Sequence, residues 1–157
     1  MRFALLLLLG VAACQSAPTA AAPSHLPDDV SLAVTDMDGV ERDLDATLAQ
    51  GRVALVFWQT WCASCREEAP HLIRAAREHT GIEFVGVISG PDDAVDDNAV
   101  RKAAADWGLP YPQVRDRKLE LTRGLGVTVT PTIVVLGAGR EILYYGHQPP
   151  ADWAALR

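Results

Sequence analysis

The pattern of apolar and polar positions predicts strands that alternate with helices along most of the chain. Residues 53–58 and 82–88 are continuous apolar runs without alternation, which is typical of central parallel strands buried on both faces. Between these runs, apolar positions recur at helical spacing at Cys65, Ala69, Leu72, Ile73 and Ala76. Gly81 supplies a stop signal, so the order strand, helix, strand is expected here.

The flanking segments complete this picture. We expect a hairpin of residues 31–34 and 40–44, a short helix at 46–50, a helix that ends at Trp107, a strand at 111–114, a helix at 118–125, a second hairpin of 132–136 and 141–145, and a stub of helix at 151–157. Alternating strands and helices followed by a closing hairpin predict an α/β fold, with a mixed sheet covered by helices on both faces.

The N-terminus differs in kind from the rest. An apolar run of roughly ten residues follows Arg2 and ends in small residues, which is typical of a secretory signal peptide and too short to cross a bilayer as a helix. Val11-Ala12-Ala13 before Cys14 resembles the lipobox of bacterial lipoproteins, which implies a lipidated Cys14. Ordinary signal cleavage beside an incidental cysteine is the alternative. We therefore assign 1–13 to a signal peptide, 14–28 to a flexible tether and 29–157 to one domain.

Charge and cysteine count narrow the function. The 157 residues carry a formal net charge of −6, which argues against binding to nucleic acid. Three cysteines are an odd number for an exported protein, but a lipidated Cys14 leaves one pair, Cys62 and Cys65. Export also places this pair where disulfides are permitted.

Cys62 and Cys65 stand between the first buried strand and the helix that follows it. A cysteine at a helix N-terminus faces unpaired N–H groups and the positive end of the helix dipole, which favour its thiolate. Cys62 is therefore the expected nucleophile, and Cys65 is placed to resolve the mixed disulfide. A structural disulfide, half of a zinc site and a copper(I) site are the alternatives, although zinc wants four ligands and the histidines show no ligand spacing.

The segment from Phe57 to Pro70, FWQTWCASCREEAP, resembles the active-site segment of TlpA/ResA-like lipoproteins in the thioredoxin superfamily, and Val129-Thr130-Pro131-Thr132 resembles the second signature of that family. The resemblance implies a thioredoxin-like fold and a cis peptide bond between Thr130 and Pro131 beside the cysteines. The Thr130 backbone would then be open to an extended substrate segment. Alternatively, Pro131 only opens the strand that follows.

Further residues follow from the same comparison. The family carries an acidic residue at the position of Glu68, which is thought to exchange protons near the thiols. Helical geometry puts Glu68 on the margin of the apolar face. Burial there would raise the pKa of its carboxyl and suit it to acid–base work. A solvated carboxylate that favours the helix dipole is the plainer interpretation. Trp61 is expected on the rim of the site and Trp58 in the packing. The chain departs from the family pattern at two places. Ala63-Ser64 separates the cysteines, where many relatives have a proline, and Val56 occupies the region where thioredoxins bury an acid.

These observations predict an exported thiol–disulfide oxidoreductase that needs no cofactor or metal beyond its own redox-active disulfide. We expect it to reduce exported client proteins with cysteine pairs, to be re-reduced by a membrane electron donor, and to face the periplasm or extracytoplasmic space on its lipid anchor. The resemblance implies clients such as apocytochrome c or copper-site proteins of cytochrome oxidase. Alternatives are a disulfide-forming oxidant and a copper(I)-handling protein. A peroxidase is disfavoured, because Gln59 stands where those enzymes place a hydroxyl residue.

Overall fold

The computed structural model of the chain describes residues 23–157. Its helices and strands follow the predicted order. They are β1 (Ala33–Thr35), β2 (Glu41–Asp43), α1 (Leu44–Leu48), β3 (Arg52–Phe57), α2 (Ala63–Glu78), β4 (Ile82–Ser89), α3 (Asp97–Trp107), β5 (Gln113–Asp116), α4 (Glu120–Gly124), β6 (Thr132–Leu136), a 3₁₀ turn (Ala138–Arg140) and β7 (Ile142–Gly146).

The main sheet has five strands in the order β5-β4-β3-β6-β7. β3 and β4 are parallel and in register from Arg52 opposite Ile82 to Phe57 opposite Val87, and β5 continues the parallel half. β6 is antiparallel to both β3 and β7. The predicted mixed sheet is confirmed, and β1 and β2 form a separate antiparallel pair.

Two apolar layers cover the sheet, one on each face. Along β3, Val53, Leu55 and Phe57 point into one layer, and Ala54 and Val56 point into the other, as alternation along a strand requires. The first layer is completed by α1, α4 and the segment before β1. The second is completed by α2 and the C-terminal segment. Helices therefore pack on both faces, which confirms the predicted α/β architecture.

A third buried cluster closes the end of the sheet at which β3 terminates. It joins Trp58, Cys62, Cys65, Ile88, Val95 and Val100, with Trp107 of α3 packed against it. The rings of Trp58 and Trp107 lie 4.9 Å apart between centroids. Both cysteines thus belong to an apolar cluster at the carboxyl end of the parallel strands.

The folded domain includes part of the segment predicted as tether. Leu26 is fully buried, and the backbone of residues 24–26 pairs with β7 and the turn before it, through Ile142 N–H to Ser24 O and Leu26 N–H to Arg140 O, both 3.0 Å. The folded domain therefore begins before the predicted boundary at residue 29. Burial of the Leu26 side chain and backbone hydrogen bonds to the edge of the sheet both stabilise this segment. The predicted signal peptide and Cys14 lie outside the described residues.

The C-terminal segment is not the stub of helix that we predicted. Residues 151–157 form bends and turns in which the Asp152 carboxylate accepts from the N–H groups of Ala154 and Ala155. Seven residues are too few to repay helix nucleation without a packed face. Trp153 is buried, and its ring centroid lies 4.9 Å from that of Phe84. The segment therefore packs on the sheet mainly through this one aromatic side chain. Within residues 23–157, none of the helices has the length and apolar character needed to span a bilayer.

Candidate active site

Cys62 and Cys65 are joined in a disulfide at the start of α2, with their Cα atoms 5.2 Å apart. Cys62 is the N-cap residue, with extended backbone, and its Sγ accepts from the Cys65 N–H at 3.1 Å. The abrupt end of the buried strand β3 and the start of a 16-residue helix place the pair here. The structure therefore brings the two predicted cysteines together in the predicted setting.

The two cysteines differ in their surroundings. Cys62 is 9% exposed, whereas Cys65 is 4% exposed and lies deeper. No acidic residue occupies the first turn of α2, and the Ser64 hydroxyl lies 3.6 Å from Cys62 Sγ. Once the disulfide opens, the helix N-terminus and these donors favour negative charge on Cys62. The arrangement suits Cys62 to nucleophilic attack and Cys65 to resolution from within.

The segment that contains Thr130 and Pro131 lies beside the cysteines, and Pro131 is the residue that reaches Cys65. The peptide bond between Thr130 and Pro131 is cis, as the resemblance implied. Pro131 and Cys65 line one small apolar cavity, together with Val56, Trp58, Ala69, Leu72, Trp107, Leu109 and Tyr111. The residues from Val129 to Thr132, named the proline loop below, therefore form the second wall of the site.

Trp58 is buried and Trp61 is exposed, as predicted. Trp58 is 2% exposed and its indole N–H donates to the Gln113 side-chain oxygen at 2.8 Å. Trp61 is 69% exposed. It borders a groove of about 600 Å³ that also contains Cys62, Thr60, Ala63, Arg66, Glu67 and Trp107. Trp61 thus offers a large apolar surface beside the expected nucleophile.

Glu68 lies on the margin of the buried face of α2, and Glu67 points to solvent. Glu68 is only partly buried, and neither cysteine lines its groove, which is formed by His71, Arg74, Ala75, Glu78, His79, Gln148, Pro149, Pro150 and Trp153. The placement at the margin is confirmed, whereas the role in proton exchange stays a prediction.

The layer beneath the cysteines is apolar where thioredoxins bury an acid. Val56 is 2% exposed and shares the cavity with Cys65. Tyr111 lines the same cavity, and burial raises the pKa of its phenol, which is therefore neutral at physiological pH. Within residues 23–157, no cluster of three or more histidine, cysteine or carboxylate side chains could hold a metal ion.

Sequence reasoning predicted no structural role for two residues beside the site. Gln59 is 8% exposed; its amide N–H donates to Ser89 O at 2.8 Å, and its backbone oxygen accepts from Cys62 N–H. His147 lies against the proline loop, with Nδ1 3.1 Å from Pro131 O. The pairing of Ile133 with Gly146 places residue 147 opposite Thr132. A prediction of hairpin register, and not only of its strands, would have found His147.

The sequence matches a known protein family and resembles several characterised relatives. The model of the family described as Redoxin matches residues 16–153. The thiol:disulfide interchange protein HelX of Rhodobacter capsulatus is 40% identical over 101 residues, which cover 61% of this chain and 53% of HelX. The thiol-disulfide oxidoreductase ResA of Geobacillus kaustophilus is 31% identical over 121 residues, which cover 76% of this chain and 65% of ResA. The chain thus spans between half and two thirds of the length of these relatives.

Solved structures agree on the fold. A secreted disulfide oxidoreductase of Mycobacterium tuberculosis, described as homologous to E. coli DsbE, superposes with a TM-score of 0.65. The match covers 82% of this chain and 92% of that one at 23% identity. At this identity the likeness shows a shared fold.

Proposed function

This chain belongs to the redoxin family, and from that premise we propose that it is a thiol–disulfide oxidoreductase whose working couple is Cys62 and Cys65. One observation carries the proposal: the two sulfurs are bonded to each other at the N-terminus of α2, with Cys62 nearer the surface. A pair so placed can cycle between disulfide and dithiol, because the nucleophile is accessible and the resolving sulfur is one helical turn away.

The reaction balances within the pair and one client disulfide. In the reduced protein, Cys62 thiolate attacks one client sulfur, a mixed disulfide forms, and the other client sulfur leaves as a thiolate that takes up a proton. Cys65 loses its proton to solvent, attacks Cys62 Sγ as a thiolate and expels the first client sulfur as a thiolate, which takes up a proton. Two electrons pass to the client, and Cys62 and Cys65 end as the disulfide that the structure contains.

The remaining site residues have supporting roles in this proposal. Trp61 contacts the client beside Cys62, and the backbone of Thr130 pairs with an extended client segment. Pro131 packs beside the sulfurs. Glu68 exchanges protons with the departing thiols through water, since its partly buried position on α2 leaves it in contact with solvent.

The proposal extends to the compartment and the partners. Residues 1–13 direct export, Cys14 carries the lipid, and the domain works outside the cytoplasm on proteins with cysteine pairs. The relatives named for thiol–disulfide interchange support the class of partner. Apocytochrome c and oxidase copper-site proteins are the clients that the family resemblance implies, and a membrane electron donor restores the dithiol. Acyl labelling that persists in Cys14→Ala would refute the anchor.

Trapping tests the mechanism directly. Cys65→Ser removes the resolving sulfur, so we expect a mixed disulfide between Cys62 and a client peptide to accumulate, visible by mass spectrometry and reversed by dithiothreitol. Cys62→Ser should form no adduct. Normal turnover by Cys65→Ser would contradict the two-cysteine mechanism.

The direction of electron flow is tested by the reduction potential of the pair. Equilibration with glutathione or dithiothreitol buffers should give a value near or below about −250 mV if the protein is a reductase. Tryptophan emission can report the equilibrium, because Trp58 packs in the same cluster as both cysteines. A value near about −120 mV would instead identify a disulfide-forming oxidant. With no reversible couple the proposal fails, and copper(I) binding would be measured next.

A further inference from the structure

A groove of about 500 Å³ lies between the N-terminus of α2 and the end of β7. It is lined by Ser64, Val129, Thr130, Pro131, Tyr144, His147 and Gln148. It reaches the disulfide through Ser64, whose hydroxyl is 3.6 Å from Cys62 Sγ. A polypeptide segment that lies along the proline loop occupies this groove, because Val129, Thr130 and Pro131 line it.

His147 is hydrogen-bonded to the proline loop through Nδ1, which acts as the donor. Its Nδ1 lies 3.1 Å from Pro131 O and 3.2 Å from Thr132 Oγ1. A carbonyl oxygen only accepts, so Nδ1 must carry the proton. The Thr132 hydroxyl donates its own proton to Val129 O at 2.8 Å, and so it too faces Nδ1 as an acceptor. Both the neutral Nδ1–H tautomer and the imidazolium can make these contacts.

These bonds hold the loop on both sides of Thr130 and leave Thr130 itself free. Val129 O is held by Thr132, and Pro131 O is held by His147. Within residues 23–157, neither the N–H nor the C=O of Thr130 has a hydrogen-bond partner. A free donor and acceptor on a fixed frame are what an extended segment requires to pair as an added strand.

We propose that His147 is a positioning residue for client binding: its Nδ1–H fixes the proline loop so that the Thr130 backbone can pair with an extended, unfolded client segment. This inference rests on the proposed function. His147 acts through the loop and touches neither reacting sulfur, so its loss weakens client binding and leaves the exchange chemistry itself in place. The client class it favours is one recognised by its main chain and not by a folded surface.

Replacements that move the donor test the proposal. His147→Asn keeps an N–H at the position of Nδ1, whereas His147→Gln places its N–H one bond further out and His147→Ala has none. Pre-reduced protein is mixed with an unstructured peptide that carries one disulfide, and the oxidation rate is followed against peptide concentration. We expect the half-saturating concentration to rise about five- to tenfold in the Ala and Gln variants, the effect of one lost hydrogen bond. The Asn variant should stay within about twofold of the original protein.

The maximal rate separates positioning from general damage. If His147 only positions the loop, the maximal rate at saturating peptide is the same in all variants. His71→Ala, at an exposed histidine on α2 away from this groove, serves as the matched control and should change neither quantity. Thr132→Val should weaken peptide binding like His147→Ala, and the double variant should lose little more, because both belong to one set of bonds.

Three outcomes would overturn the inference: an Asn variant as weak as the Gln variant, variants that all bind peptide like the original protein, or a maximal rate that falls in parallel with affinity. Failure of the proposed function looks different, since the unaltered protein would then exchange with neither peptide nor dithiothreitol.

Discussion

At the scale of single residues, the polar side chains inside the domain are the informative ones. Asp36, Arg115, Asp116 and Thr132 are each at most 7% exposed, and each holds a turn or loop by several hydrogen bonds. Asp116, for example, accepts from the N–H groups of Glu120 and Thr122 and from the Thr122 hydroxyl. A buried polar atom without a partner is costly, so these hydrogen bonds offset the burial of the side chains; the Arg115 Nε is the exception among these four residues, since it has no partner.

Asp36 makes stability depend on pH. Burial raises the pKa of its carboxyl, but hydrogen bonds from Val40 N–H, the Arg42 side chain and Asp38 N–H outweigh it, and the pKa lies below the ordinary value of 3.8. Because the folded-state pKa is depressed, the stabilisation is complete above pH 3.8 and is lost as the pH falls through the folded-state value.

We expect Asp36→Asn to lower the free energy of unfolding by about 1–3 kcal/mol at neutral pH, since it removes a charge-assisted bond to Arg42. Part of the acid-induced loss seen in the original protein should then disappear. Urea unfolding at pH 7 and below pH 4 measures both effects. Asp38→Asn, whose side chain is 83% exposed, is the control and should show neither. Identical pH profiles for the original protein and Asp36→Asn would contradict the assignment.

At the scale of elements, α2 and α3 place the site from two directions. α2 presents Cys62 at its N-terminus, and α3 presents Trp107 to Trp58 beneath it. α3 begins at the N-cap Asp96, whose carboxylate accepts from Asn98 N–H at 2.8 Å, and ends at Gly108 in the left-handed region with φ of 70°. Local sequence signals therefore set both ends of a helix that supports the disulfide cluster.

Removing the α3 cap should destabilise the domain without touching the chemistry. We expect Asp96→Ala to cost about 1 kcal/mol in free energy of unfolding, because one N–H at the helix start loses its acceptor. Asp96→Asn retains an acceptor and should cost little. Denaturant unfolding measures the cost, and the reduction potential should remain that of the original protein. An alanine variant as stable as the asparagine variant would show that water replaces the cap at no cost.

At the scale of the whole molecule, one arginine ties distant segments together. The Arg140 guanidinium pairs with Asp45 on α1 at 2.6 and 2.8 Å and donates to the backbone oxygens of Pro27, Asp28 and Val30. The hydrogen bonds with Asp45 raise the pKa of Arg140, which stays charged. The segment before β1, α1 and the turn before β7 thereby form one unit at the end of the sheet away from the cysteines.

The segment around Leu26 should prove to be part of the stable core. Leu26 is fully buried, so Leu26→Ala is expected to lower the free energy of unfolding by about 2–5 kcal/mol through lost burial and the cavity left behind. Val40→Ala, at a side chain 49% exposed, should stay within about 0.5 kcal/mol. Denaturant unfolding compares the two. Equal stability of Leu26→Ala and the original protein would show that this segment is not part of the core.

Much of the fold and half of the site were predictable because their signals are local. The unbroken apolar runs marked β3 and β4 within a residue or two, and helical spacing after Cys62 marked α2. The cysteine pair followed from its place between a buried strand and a helix, whereas the proline loop and the exposure of Trp61 followed from a resemblance carried by two short segments. The C-terminal helix was mispredicted, since in a short segment one buried residue, Trp153, outweighs local propensity.

The sequence by itself determined the order of strands and helices, the α/β class and the identity of the two sulfurs, because periodicity and motif spacing are properties of neighbouring residues. Only the tertiary structure decided that Leu26 belongs to the core and that His147 meets Pro131, 16 residues earlier in the chain. Those contacts depend on how separate segments pair across the sheet. Pairing is set by register and by total burial, and neither can be read from one segment alone.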